Sequence, residues 1–356
     1  MSSTPRGVGR LKAYAVGLAA ILALAAVVAA CGGSSDTSGQ ASVTPAASKT
    51  GGAQLALVGY STPKKAYDKL TAAFAQSSAG KGVSFSQSFG PSGAQSRAVA
   101  SGQPADVVAF STTPDVTRLV KSGIVSSSWD TVGSKGVPSD SVAVLVVRKG
   151  NPKHITGWDD LVKPGIDVVT PNPATSGSAR WNILAGYGAE LKEGKTPAQA
   201  LAYVKTLLTK NVSVQPSSGS TALQTFTSGK GDVLISYESE AIAAEKAGDA
   251  VQYVIPKQTI LIETPVAATT KAPAGAQAFV SWLFTPAAQT IWAQEGYRPV
   301  LPSVAKQYAS KFPTPPELFT INTLGGWTQV NRTFFAASSG SITKIERAAG
   351  VPTASS

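Results

Sequence analysis

One cysteine, one histidine and one methionine occur among 356 residues, and only 14% of the side chains carry charge. A Cys/His zinc site cannot be assembled from such a stock, so no metal and no other cofactor is expected. A serine–histidine–aspartate centre would have to be built around His154, which sits in a polar Asn-Pro-Lys-His turn. A disulfide framework is excluded by the same count. The hydrophobic fraction of 43% is too high for a disordered chain. What is present is 34 Gly, 23 Pro and a formal charge of +11. A balance so basic would suit a nucleic-acid binder, which makes the placement of the charges decisive. The lysines and arginines are scattered, with no basic run and no interleaved aromatics, so nucleic acid is not expected as a partner.

Three of the excess positive charges, Arg6, Arg10 and Lys12, stand just before an uncharged apolar run at 13–30. This is the layout of a secretory signal, with a plain membrane anchor as the alternative. The run ends in Val28-Ala29-Ala30-Cys31 and is followed by Gly32, Gly33, Ser34 and Ser35. That ending resembles a bacterial lipobox, in which small residues precede a thiol that takes the diacylglycerol. Residues 1–30 are therefore expected to be a signal peptide, and Cys31 the lipidation site. The protein would then be anchored on the extracytoplasmic face of the cell membrane. Residues 31–52, nearly all small or polar, read as a flexible tether.

The remaining stretch, from about residue 53 to 350, is longer than one typical core, so two lobes are expected. Short β-rich runs (QLALVGY, GVSFSQS, ADVVAF, SVAVLVVRKG, DVVTP, VSVQP, DVLISY, VQYVIP) alternate with amphipathic helical stretches such as Pro63–Gln76 and Ala179–Leu191. The alternation predicts an α/β fold with parallel sheets, helices on both faces and ligand crevices at strand C-termini. The apolar strand 142–147 and Thr264–Ala268 are candidate crossings between lobes. They predict a first lobe of 53–142 plus 265–350 and a second of 143–264.

Three Ser/Gly-rich turns precede helical patterns: Gly90-Pro91-Ser92-Gly93, Thr175-Ser176-Gly177-Ser178 and Ser217-Ser218-Gly219-Ser220-Thr221. A helix start presents unpaired N–H donors and the positive end of the helix dipole, and so holds an oxyanion without a cationic side chain. Taken singly, each serine reads as an N-cap. Taken together, the loops supply donors from both expected lobes, and none of them contains Asp or Glu. Sulfate, fully ionised and without a proton to give, suits such a donor-only set. Phosphate, which keeps a proton, would gain from a carboxylate acceptor.

The stretch Thr170-Pro171-Asn172-Pro173-Ala174-Thr175-Ser176-Gly177-Ser178-Ala179-Arg180-Trp181-Asn182 resembles a signature of the bacterial sulfate/thiosulfate-binding proteins, the extracytoplasmic receptors of sulfate ABC importers. Ser92-Gly93-Ala94-Gln95-Ser96-Arg97, Gly231–Ala241, Tyr297-Arg298-Pro299 and Gly325-Gly326-Trp327 continue the likeness in the family's order. The resemblance implies a two-lobed, type II periplasmic-binding-protein-like fold with the ligand in the cleft between lobes. It implies a non-enzymatic, monomeric lipoprotein that delivers sulfate or thiosulfate to the membrane permease subunits of an ABC importer. The ligand groups it implies are the hydroxyl and backbone of Ser92, the hydroxyl of Ser176, and the N–H groups of Gly177, Ser178 and Ser218. Tyr237 stands where the family has a tryptophan donor, Ser61 where it has an aspartate, and Gly219 where it has an arginine. Arg97 and Arg180 match arginines that balance charge from just behind the ligand.

Two other readings remain. Molybdate, tungstate or another oxyanion would suit the same loops. Ser61-Thr62-Pro63-Lys64 spells an S-x-x-K acyl-transfer motif, and Lys49-Thr50-Gly51 a K-T-G box. The boxes fall in the wrong order for that chemistry.

Overall fold

The computed structural model describes residues 53–353. The expected signal peptide, Cys31 and the tether lie outside them.

Two sheets organise the described chain. In the first, Gln54–Tyr60 is central, parallel to Ser84–Gly90 on one side and to Val107–Ala109 on the other, and Val266–Ala268 closes the edge antiparallel to Val107–Ala109. Alternation along the central strand sends Leu55 and Leu57 to one face and Val58 to the other. The first face is covered by helix Lys64–Gln76, whose Tyr67, Leu70, Thr71 and Phe74 recur at helical spacing on the buried side. Phe279, Trp282 and Trp292 from two later helices complete that core. The second face is covered by helices Ser92–Ala100 and Thr113–Lys121, through Val99, Val116 and Leu119.

The second sheet is built on Ser139–Arg148, a strand buried almost from end to end. Ala143, Leu145 and Val147 face one core, and Val142, Val144 and Val146 the other, as expected of a strand covered on both sides. Val233–Tyr237 pairs with it antiparallel, then Val168–Val169 and Val212–Val214 follow in parallel. Gln258–Glu263 and Val251–Val254 also pair with it, and Glu317–Phe319 adds outside Gln258–Glu263. Helix Gly177–Lys192 crosses this sheet almost wholly buried, and its Gly188 leaves space that the Phe319 ring fills.

The chain enters the second lobe along Ser139–Arg148 and returns along Gln258–Glu263 to Val266–Ala268 in the first sheet. The expected assignment of 265–350 to the first lobe requires correction beyond its helices Ala274–Trp282 and Pro286–Gln294. Glu317–Phe319 pairs with the second sheet, and Phe319, Ile321, Val330, Phe334 and Ile342 lie in the second lobe's core. The physical reason is the open edge of Gln258–Glu263, which the late strand covers, together with aromatic pairs Trp181–Trp327 and Tyr187–Phe334 at ring separations of 4.8 Å.

Candidate functional site

Each Ser/Gly-rich turn stands where a strand gives way to a helix, and the two sheets aim these turns at one another. Helix Gly177–Lys192 starts at Ser176, whose oxygen accepts from the Ala179 N–H at 3.4 Å. Helix Gly219–Thr227 starts at Ser218, whose oxygen accepts from the Thr221 N–H at 3.2 Å and lies 2.8 Å from the Thr221 hydroxyl. Both serines thus are N-caps, and both are almost fully buried. Among the described residues, no acceptor meets the backbone N–H groups of Gly177, Ser178, Ser218 or Gly219. These are the orphan donors of two helix starts, brought side by side where the Thr175 hydroxyl donates to the Ser217 carbonyl and the Asn172 N–H to that of Pro216, both at 2.8 Å.

The facing wall comes from the first lobe. Ser92 opens helix Ser92–Ala100, but its hydroxyl does not point a free proton at the cleft. It donates to Asp115 at 2.7 Å and accepts from the Ser111 N–H at 3.0 Å. A buried carboxylate thus holds the proton of the Ser92 hydroxyl, whose contact with a ligand was expected, while the Ser92 backbone N–H has no acceptor among the described residues. Asp115 itself takes bonds from Ser92 and Thr112 at Oδ2 and from Arg118 at Oδ1.

Contacts across the cleft are close. The Trp181 indole N–H donates to the Ser111 carbonyl at 2.7 Å, the Gly93 N–H to the Thr175 carbonyl at 3.2 Å, and the Thr62 hydroxyl to Glu240 at 3.2 Å. A Cβ on Gly177 would stand 2.7 Å from Ser111 and 2.9 Å from Thr112. The absence of a side chain there is what lets the lobes meet. A Cβ on Gly219 would lie 3.0 Å from both the Ser178 and Thr62 hydroxyls and 3.1 Å from Glu240, which brings all four residues to one spot.

Tyr237, at the end of Val233–Tyr237, is fully buried, and its phenol oxygen sits 2.7 Å from the Ser111 hydroxyl. Burial pushes its pKa far up, so it is a neutral donor or acceptor at any physiological pH. Only one proton lies between two hydroxyls, so the pair keeps one O–H to direct elsewhere. Glu240 is 4% exposed and has no cationic partner among the described residues. Burial raises its pKa to about 7, against the hydroxyls of Ser236 and Thr62, which stabilise the ionised form.

Ser61 lies at the cleft rim with Thr62 and Glu240, on a cavity of about 820 Å³. Lys64 of the S-x-x-K motif is exposed and paired with Asp68 at 2.8 Å. His154 is exposed at the far end of Ser139–Arg148. Arg97, on helix Ser92–Ala100, and Arg180, on helix Gly177–Lys192, line one cavity behind the helix starts. Asp159, Glu190 and Glu193, whose oxygens gather closely enough to hold a cation, surround the Lys195 ammonium.

Sequence reasoning missed Ser111, Asp115 and Glu240. Ser111-Thr112 also follows a strand and precedes a helix, the same signal that marked the other turns. Glu240 falls inside a quoted stretch, but nothing local marks it as facing Thr62, 178 positions away.

The profile described as "Bacterial extracellular solute-binding protein" matches residues 55–298. A sulfate-binding protein of Synechococcus elongatus is 40% identical over 332 residues, covering 89% of this chain and 92% of that one. A thiosulfate-binding protein of Pseudomonas aeruginosa is 34% identical, covering 78% and 88%. The solved structure of the sulfate-binding protein SubI from Mycobacterium tuberculosis superposes with a TM-score of 0.76 at 48% identity, over 78% of this chain and 98% of that one.

Proposed function

Because the chain belongs to the bacterial extracellular solute-binding protein family, we propose that it is the extracytoplasmic receptor of an ABC importer that captures sulfate, or thiosulfate, between its two lobes. The observation that carries the reading is the pair of adjoining helix starts, at Gly177 and Gly219, whose N–H groups have no acceptor among the described residues. An oxyanion there gains several hydrogen bonds and the positive ends of two helix dipoles without burying a bare cation.

The ligand set we propose is the N–H groups of Ser92, Gly177, Ser178 and Ser218, the Ser176 hydroxyl, and the free proton of the Ser111–Tyr237 pair. Ser61 lines the rim. None of these ligand groups is a carboxylate, and the two carboxyls near the cleft are engaged elsewhere, Asp115 with Ser92, Thr112 and Arg118 and Glu240 with Thr62 and Ser236. We further propose that Cys31 carries the lipid that holds the receptor to the membrane beside its permease subunits, and that the protein performs no catalysis.

Equilibrium dialysis with radiolabelled sulfate tests the reading. Saturable binding displaced by thiosulfate and not by chloride is expected. Failure of sulfate, thiosulfate and molybdate alike to bind would sink it.

A further inference from the structure

A second cavity, of about 330 Å³, opens between the lobes behind the helix starts proposed to hold the anion. Arg97 of the first lobe lines it together with Asn172 and Arg180 of the second, and Phe335, Thr343 and Glu346 close it from the C-terminal helices. Two features of its wall are uncompensated. Neither arginine has a carboxylate partner among the described residues. Arg180 spends Nε on the Pro173 carbonyl and one Nη on Asn331, and the Arg97 guanidinium makes no hydrogen bond within the described chain. Asp115 attracts both, but its hydrogen bonds go to Ser92, Thr112 and Arg118 and to neither of them. On the opposite wall, Glu346 is 2% exposed; its Oε2 accepts from Gln215 at 2.9 Å, and its Oε1 has no donor among the described residues. Burial lowers the pKa of both guanidinia, and Arg118 repels each of them; burial raises that of the Glu346 carboxyl.

We propose that this cavity binds a small zwitterion of the α-amino-acid class, its carboxylate held between Arg97 and Arg180 and its ammonium donating to Glu346 Oε1. A simple anion would satisfy the guanidinia but would face the unpartnered carboxylate oxygen, and a simple cation would meet the reverse mismatch. Only a molecule carrying both charges answers both walls. The occupant touches Arg97 on one lobe and Arg180 and Glu346 on the other, so it favours the arrangement in which the lobes meet. The anion site uses the same arrangement, and the two ligands therefore assist each other's binding reciprocally. The cavity's own chemistry does not depend on the sulfate reading; the mutual assistance does.

The test is calorimetric titration of the full chain with glycine, L-alanine and L-serine in the absence of sulfate, with acetate and methylamine as single-charge controls. At least one amino acid should bind with one-to-one stoichiometry, and more tightly than either control. Glu346→Gln should weaken that binding about tenfold or more, while the same variant still binds sulfate or keeps its unfolding midpoint as proof of its fold. Arg97→Lys, which keeps the charge and loses the fork, should also weaken it. Saturating amino acid should then tighten sulfate binding about fivefold. Acetate binding as tightly as L-alanine, an unchanged Glu346→Gln variant, or no amino-acid binding at millimolar concentration would overturn the proposal. Failure of sulfate to bind while the amino acid does would remove the receptor reading and leave this site standing.

Discussion

The two walls of the cleft are made of the same residue types and are prepared differently. On the second-lobe wall, Ser176 and Ser218 cap their helices and leave a row of N–H groups without acceptors. On the first-lobe wall, Ser92 gives its proton to Asp115, and Ser111 is bonded through its N–H, its carbonyl and its hydroxyl. The second wall is a set of donors held open for a ligand. The first is a pre-bonded surface that closes over it and contributes chiefly a backbone N–H and the hydroxyl shared with Tyr237. A charge count cannot register this division, since neither wall relies on a lysine.

The division has consequences for substitution, beginning with the strongest. Gly177→Ala places a Cβ within 3.0 Å of Ser111 and Thr112, so the walls no longer meet; sulfate affinity should fall by more than about a hundredfold in a titration. Ser176→Ala removes a donor to a charged ligand and a helix cap, with an expected loss of about 10- to 100-fold. The exposed Lys149→Ala should stay within about twofold, and equal losses for the two would mean that general charge attraction governs binding. Ser111→Ala should cost about tenfold, because Tyr237 then loses its buried partner.

Ser92→Ala sharpens the comparison most. If the first wall is pre-bonded, the damage appears as stability, about 1–3 kcal/mol in denaturant unfolding, from an under-satisfied Asp115 and an unpaired Ser111 N–H. Affinity should drop less than for Ser176→Ala. The reverse order would show that Ser92 donates to the anion directly.

Glu240→Gln should have the smallest effect on affinity and a pH-dependent effect on stability. Burial raises the folded-state pKa to about 7 from an ordinary value of 4.5. The folded protein therefore binds this proton more tightly than the unfolded chain. The residue costs nothing below about pH 4.5, an increasing amount as pH rises to about 7, and a constant amount above it. The glutamine variant should gain on the order of 2–3 kcal/mol at pH 8 and nothing at pH 4. A pH-independent difference would show that Glu240 ionises without penalty.

Much of this was legible in the chain itself. Hydroxyl- and glycine-rich turns before helical patterns reveal helix starts because capping is a local interaction, and Ser176 and Ser218 are the caps that the sequence leads one to expect. The alternation of strands and helices likewise follows from local periodicity. Pairings between distant segments were not legible. Ser111 meets Tyr237 across 126 positions, and Glu317–Phe319, three residues long, carries no pattern that says which sheet it joins. The claim of Asp115 on the Ser92 proton could not be foreseen either, since it depends on two helices packing over one face of the first sheet.

The central claim, that uncharged donors from the second wall hold a proton-free oxyanion, is tested most directly by calorimetric titration of the protein with sulfate and with phosphate at the same pH. The account predicts one-to-one sulfate binding, with phosphate weaker by orders of magnitude because no carboxylate stands among the proposed ligand groups to take its proton. Phosphate binding as tight as sulfate would contradict it.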